Sequence, residues 1–435
     1  MRTDLAVVGA TPPSTVARAA LPRWPFTAML ALFPLWWALG VAEMAWIPLA
    51  GCMVVLMVRR GAIQVPRGFA IWLLFMVLMG ASVIGIDTSG RLIGFVYRAL
   101  LYATITVVFV YVYNAKETLT LRYVLGLMTL FWLWAVLGGF AGVAAPEFAF
   151  RTPLSYILPQ GLQANELISE MVVRRLTQFN PDSWLALDPR PSAPFLYTNG
   201  WGNVYSVTLP MVVAYMTLIR RGKTFWLLLL AIPLSLIPAF LTLNRGMFIG
   251  LAVAAAYLFL RFAMAGRLRQ VLLLTVIGVV AAVAAIALDV GSKLTDRVET
   301  SSSTEDRANL YEETFVRTLQ SPLFGYGAPR PSFTDGAPSA GTQGHLWMVM
   351  FSHGFPALIC FVGALVWMYF ATIRGRSTAM LVLHTVQLVI LVEVFFYGVL
   401  PNGLILTFPV AALAMRELRA SRASRTSLSP PPSNR

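Results

Sequence analysis

Val271-Leu-Leu-Leu-Thr-Val-Ile-Gly-Val-Val-Ala-Ala-Val-Ala-Ala-Ile-Ala-Leu288 runs for 18 residues without one charged side chain. As a helix it rises about 27 Å, close to the ~30 Å hydrocarbon thickness of a bilayer. A membrane-spanning β-strand would alternate apolar and polar residues over a shorter segment, and this run does not alternate. The rest of the chain agrees: 58% of its 435 residues are apolar and 12% are charged, about half the usual charged share. Mean hydropathy is +0.71. That balance excludes a soluble enzyme, a secreted disulfide scaffold and a disordered chain. Cys52 and Cys360 both lie in apolar runs and read as small packing residues. The expected fold class is an all-α polytopic membrane protein.

Working outward from Val271–Leu288, eleven further apolar runs stand out: Trp24–Gly40, Ala42–Val58, Gly68–Gly85, Leu92–Tyr113, Leu121–Val143, Gly202–Leu218, Thr224–Leu243, Met247–Phe262, His345–Ile373, Met380–Leu400 and Leu404–Met415. About twelve transmembrane helices follow. The first run lacks a cleavage signal and reads as a retained helix. With the N-terminus inside, 21 of the 33 Lys and Arg residues fall in short inner segments, as the positive-inside rule requires. The formal net charge of +14 is therefore a topogenic signal and no nucleic acid is expected as a partner. Two long loops then face outside. The expected organisation is a five-helix segment over 1–143, a first long extracytoplasmic loop over 144–201, helices six to nine over 202–288, a second long loop with an amphipathic helix over 289–344, helices ten to twelve over 345–416, and a disordered cytoplasmic tail over 417–435.

Polar groups within the bilayer are costly, which makes them functional candidates. Arg98 lies in the fourth span, His353 in the tenth, and His384 and Glu393 in the eleventh. His384 sits towards the inner side and reads as structural. Glu393 sits nearer the outer side, within range of a site there or of a partner such as Arg98. Arg245, in the short turn Asn244-Arg245-Gly246, is a basic residue at the end where the charge bias disfavours one. In the second long loop, Ser302-Ser-Thr-Glu305 fits a capping box. It predicts a helix of about fifteen residues ending near Gln320, before Pro322. Ala308, Tyr311, Phe315 and Leu319 form one apolar face, suited to lying on the membrane surface. Arg307 and Arg317 lie about 80° apart around that helix. Glu312 and Glu313 read as solvated partners of these arginines.

The order of these features carries a resemblance. Asn244-Arg245-Gly246 opens a span; a long outer loop follows with Arg307, then Pro322-Leu-Phe-Gly-Tyr-Gly327, and His345-Leu-Trp-Met348 opens the next span. In this order the chain resembles the O-antigen ligase and O-antigen polymerase (Wzy-type) superfamily of bacterial envelope glycosyltransferases. Arg190-Pro-Ser-Ala-Pro-Phe-Leu-Tyr-Thr-Asn199 is similar to the segment before that family's corresponding span. The likeness covers roughly residues 190–368. Two departures are visible. Leu346 stands where the family often has Asn after the His, and Tyr311 takes the place of the aromatic that follows the loop arginine.

The resemblance implies a GT-C-like membrane fold in the bacterial cytoplasmic (inner) membrane, with a site facing the exterior. It implies transfer of a glycan from a polyprenyl (undecaprenyl-type) diphosphate to a glycan or lipid acceptor. His345 would be the general base and Arg245 and Arg307 the diphosphate clamps. Arg317, Tyr311 and Glu393 are further candidates for substrate contact. The chemistry agrees: arginine forks bind phosphate oxygens bidentately, and a histidine titrates near neutrality. Two fixed arginines can stand in for a divalent metal. The outer loops carry no Asp-x-Asp and no His/Cys cluster of ligand spacing, so neither metal nor cofactor is expected. A polymerase of the same superfamily shares the donor chemistry, and the compact single-His pattern leans towards a ligase. A lipid-linked glycan flippase would use Arg98 and Glu393 near the midplane, but no internal repeat supports it. A polyprenyl-monophosphate transferase would need an acid in the first outer loop, where Glu43 sits in only a few residues.

Overall fold

Hydrocarbon offers no water to backbone amides, so apolar runs must close their hydrogen bonds as helices. The computed structural model describes residues 19–163, 166–178, 189–219, 221–287, 289, 291–292, 303–334 and 337–427. Its helices are α1 Trp24–Ala31, α2 Phe33–Leu39, α3 Trp46–Arg60, α4 Ala70–Ala81, α5 Ser89–Asn114 and α6 Leu121–Ala144. Three short helices follow, α7 Leu154–Ile157, α8 Gln160–Gln163 and α9 Glu166–Val172, and then α10 Thr198–Ile219, α11 Lys223–Leu241, α12 Arg245–Met264 and α13 Leu268–Ala287. The set ends with α14 Ser303–Gln320, α15 His345–Thr372, α16 Thr378–Glu393 and α17 Asn402–Ser427. The protein is an all-α polytopic membrane protein: nine helices among the described residues are long and apolar enough to cross a bilayer, and α16 is a shorter apolar helix.

The differences from the expected twelve spans have local causes. The first run breaks into α1 and α2 at Leu32, because Pro34 opens a new helix but cannot continue the old one. The eleventh run stops at Glu393, seven residues before Leu400, and the following segment turns back over the bundle end. The expected disordered tail begins as helix: α17 continues through Ser427. There Arg416 is anchored on the Val112 carbonyl at 2.8 Å and on that of Leu119. Ser302, the expected cap of the loop helix, lies outside the described residues, and α14 starts at Ser303.

Helices α10, α16 and α17 form the centre. α10 packs on α6 and α16, α17 on α5, and α12 on α16, while α15 packs on α4. Both long connections lie at one end of the bundle. The first carries two antiparallel ribbons, β1 Ala149–Arg151 with β2 Val173–Arg175, and β3 Thr177–Gln178 with β4 Arg190–Pro191.

The second long connection is locked onto a kink in α15. Gly354 has φ 77°, and Pro356 follows it inside the helix. A proline has no N–H, so the carbonyl four residues earlier, that of Ser352, loses its helical donor. The Gly327 amide supplies one at 2.7 Å, and the Tyr326 amide bonds the Phe351 carbonyl at 3.0 Å. The freed Phe355 amide bonds the Pro322 carbonyl at 2.9 Å. The Pro322–Gly327 turn thus satisfies the backbone groups that the kink exposes. Arg91 tightens the arrangement by donating to the carbonyls of Tyr326, Ala328 and Pro329 at 2.6, 2.7 and 3.2 Å.

Candidate active site

His345 is the first residue of α15 and is fully buried. Its amide bonds the Tyr397 carbonyl at 2.7 Å, and the Leu346 amide bonds the Val394 carbonyl at 2.9 Å. The α16–α17 connection therefore caps the α15 N-terminus with backbone oxygens. In the His345 ring, Nε2 lies 2.9 Å from the Tyr102 hydroxyl of α5, and Nδ1 has no partner. Arg98 is one turn before Tyr102, and its charge reaches Tyr102, His345 and His353.

Tyr397 ties this histidine to the start of α12. Its hydroxyl donates to Asn244 Oδ1, and Asn244 Nδ2 donates to the Thr198 carbonyl at 2.9 Å. Gly246 lies against the ring: a Cβ there would come within 2.7 Å of Tyr397. Arg245, between them, is exposed and has no hydrogen bond or ion pair among the described residues. Arg307 is exposed in the first turns of α14, and its charge reaches both Tyr311 and Tyr397. Tyr311, one turn on, stacks on Trp347 of α15 with centroids 4.4 Å apart and planes at 10°. Burial holds the Tyr311 hydroxyl above its ordinary pKa, with the Arg307 charge pulling the other way. So α12, α14, α15 and the Tyr397 turn bring Arg245, Arg307, Tyr311 and His345 to one end of the bundle.

Arg317 is placed elsewhere. It is 7% exposed and about 15 Å along α14 from Arg307. It bonds Glu313 at 2.7 Å and the Pro331 carbonyl at 2.9 Å, and lies over the rings of Phe333 and Phe351. Glu393 is fully buried, one turn before Tyr397, whose amide bonds its carbonyl at 2.9 Å. Its Oε2 accepts from Asn203 Nδ2 at 2.6 Å, while Oε1 has no partner. Asn203 thus fills the place the sequence offered to Arg98. His353 bonds Ser82 at 2.7 Å through Nδ1, and His384 bonds Thr372 at 2.9 Å. Glu313 is no free surface acid: it holds Ser332 Oγ at 2.5 Å as well as Arg317.

Sequence reasoning missed Tyr102, Tyr397 and Asn203. Each is a hydrogen-bonding side chain in an apolar run, and that was the available signal.

Residues 225–362 match a family model described as O-antigen ligase (Wzy_C). The match spans Arg245, Arg307 and His345. Over that third of the chain the match supports the O-antigen ligase/polymerase superfamily. No curated protein matches the chain significantly. The family supports a glycosyltransferase of the O-antigen ligase/polymerase type, set in the membrane with a lipid-linked glycan as its partner. The matched region contributes α11–α14 and about the first two thirds of α15, whereas Tyr102 on α5, Glu393 on α16 and Tyr397 in the turn after it lie outside the match.

Proposed function

We propose that the protein transfers a glycan from a polyprenyl (undecaprenyl-type) diphosphate to an acceptor hydroxyl at the outer face of the bacterial cytoplasmic membrane. One observation carries this reading: a buried histidine with one open ring nitrogen is capped by the Tyr397 turn, which also holds the start of α12, where Arg245 is exposed, and lies within reach of the Arg307 charge. The reading assigns Nε2–H of His345 to the Tyr102 oxygen, which leaves the Nδ1 lone pair free as the base. The acceptor O–H gives its proton to Nδ1, and its oxygen attacks the anomeric carbon. The bond from that carbon to the diphosphate oxygen breaks, and the electron pair leaves with the diphosphate. Arg245 and Arg307 stabilise the charge that grows there. Their fixed charges fill the role a divalent ion has in other diphosphate chemistry, so the proposed mechanism is metal-independent. Tyr311, stacked on Trp347, is a further candidate for substrate contact, while Glu393, buried on Asn203, and Arg317, held by Glu313 and the Pro331 carbonyl, act as positioning residues.

The orientation rests on the short basic loops at the opposite end of the bundle. A ligase and a polymerase share every step above and differ in the acceptor, so an acceptor panel separates them. The test is a reconstituted assay with a polyprenyl-diphosphate glycan, run in chelator, comparing wild type with His345→Ala. Diphosphate-lipid release that survives the chelator and needs His345 is the expected result. An inactive wild type whose vesicles pass the donor across the bilayer overturns it in favour of a flippase.

A further inference from the structure

A second polar cluster lies at the long-loop end, away from Arg245 and Arg307, and nothing above uses it. Its centre is Arg174 of β2, which is 2% exposed. Nε and Nη2 of Arg174 have no hydrogen-bond partner. These two nitrogens form one side of the guanidinium fork, with parallel donors suited to a pair of oxygens on one ligand. A buried donor left unpaired loses its hydration without compensation, so an open fork in this setting marks a place for a ligand.

The surroundings define which ligand fits. Glu43 is 7% exposed and lies within electrostatic reach of Arg174, as does Tyr97 of α5, yet Glu43 makes no ion pair with the arginine. Instead Glu43 Oε1 accepts from Asn402 Nδ2 at 2.9 Å. Asn402 Oδ1 is buried with no partner. Phe150 is the cross-strand partner of Arg174 in the β1–β2 ribbon, so the two side chains share a face. Trp37 meets Phe150 edge-on, centroids 5.4 Å apart, and its buried indole N–H also has no partner.

Open donors, an open acceptor and an aromatic wall together match a sugar ring, whose hydroxyls both donate and accept and whose C–H face is apolar. Glu170 lies within the same electrostatic reach of Arg174, so two carboxylates flank one arginine and leave no net positive charge, which favours a neutral sugar over an acidic one. We propose that Trp37, Glu43, Tyr97, Phe150, Arg174 and Asn402 form a saccharide-binding subsite that takes a neutral sugar residue of the glycan substrate. The link to the glycan substrate rests on the transferase reading; the saccharide site itself does not. The subsite borders the histidine site through the chain: Tyr97 precedes Arg98, and Asn402 lies five residues after Tyr397.

Saturation-transfer NMR tests this on the full-length chain in nanodiscs, with a panel of free neutral mono- and disaccharides and glucuronate as the acidic control. At least one neutral sugar should bind better than glucuronate. That signal should fall at least about tenfold in Arg174→Gln and in Asn402→Ala, and persist in Arg245→Ala and Arg307→Ala. Absence of neutral-sugar binding, or binding unaffected in whichever of the two subsite variants folds, overturns the subsite. A second arm measures binding of sugar-free polyprenyl diphosphate. It should survive Arg174→Gln and be lost in Arg245→Ala and Arg307→Ala. Failure in this arm alone counts against the diphosphate clamps and leaves the subsite standing.

Discussion

His345 gives one ring nitrogen to Tyr102 and keeps the other open. A base works through one lone pair, so the partner on the second nitrogen decides which one. Replacing His345 with Ala should lower transfer about 10²–10⁴-fold, the usual worth of a general base. Tyr102→Phe removes only the oxygen that fixes the ring. Its expected effect is a fall of about tenfold in kcat, roughly 1.4 kcal/mol, with KM for the donor unchanged. A raised KM at constant kcat would assign Tyr102 to donor binding instead. Arg245→Lys keeps the charge and loses the fork, so single-turnover transfer should also drop at least about tenfold. Normal transfer by a stably expressed Arg245→Ala variant would remove Arg245 from the mechanism. At this scale the sequence displayed the charged candidates, because an arginine at the wrong end of the charge bias and a histidine at a helix mouth are conspicuous. It hid Tyr102 and Tyr397, because a tyrosine among Leu and Val looks like packing until its hydroxyl finds a partner.

Helix α14 shows how an apolar pattern reads differently beside a membrane. Phe315, Val316 and Leu319 are exposed, while Leu310, Thr314, Arg317 and Thr318 face inward onto the loop and α15. The apolar face identified from sequence thus splits: Tyr311 stacks on Trp347 of α15, whereas Phe315 and Leu319 stay exposed, where lipid can cover them, and the face of Leu310, Thr314, Arg317 and Thr318 docks. Lipid removes the hydrophobic drive for protein-facing burial, so contact favours small and polar residues. Two expectations belong here. Gly246→Ala puts a methyl group into the Tyr397 ring and should cost about 1–3 kcal/mol of overpacking. Because Tyr397 also caps α15, transfer should fall even where thermal stability holds; unchanged transfer would detach Tyr397 from the site. The second concerns Glu313. Burial acts to raise its pKa, but hydrogen bonds from Ser332 and Arg317 outweigh it and hold the carboxyl below its ordinary value. A lowered folded-state pKa contributes stability above the unfolded value and loses it as pH falls through the folded one. Hydrogen exchange over residues 303–334 should therefore speed up below about pH 4, and Glu313→Gln should flatten that dependence. The kinked α15 and the truncated α16 were not legible, since hydropathy reports what lipid accepts and not where the backbone turns.

The whole molecule is asymmetric in what it shows to lipid. No residue of α13 is buried, although its 20 residues are nearly all apolar, whereas most of α10 and α16 is enclosed. A helix apolar all round and packed on one flank only is stable where hydrocarbon is the solvent, so α13 fixes the bilayer against the bundle. Charge then fixes the direction. Arg59, Arg60, Lys116, Arg261, Arg267, Arg374 and Arg376 lie in or beside the short connections at one end, and the long connections lie at the other. This polarity was readable from sequence because it is set by charge counts in loops, which need no tertiary information. It is also the premise on which an exterior active site rests. With Cys52 and Cys360 replaced by Ala, a single cysteine at Tyr156, which is 79% exposed, should react with a membrane-impermeant maleimide in intact spheroplasts. A cysteine at Ala420, exposed near the far end of α17, should react only after permeabilisation. The reverse pattern would turn Arg245, Arg307 and His345 towards the cytoplasm, where an outer-leaflet donor could not reach them, and the transferase reading would fail on geometry alone.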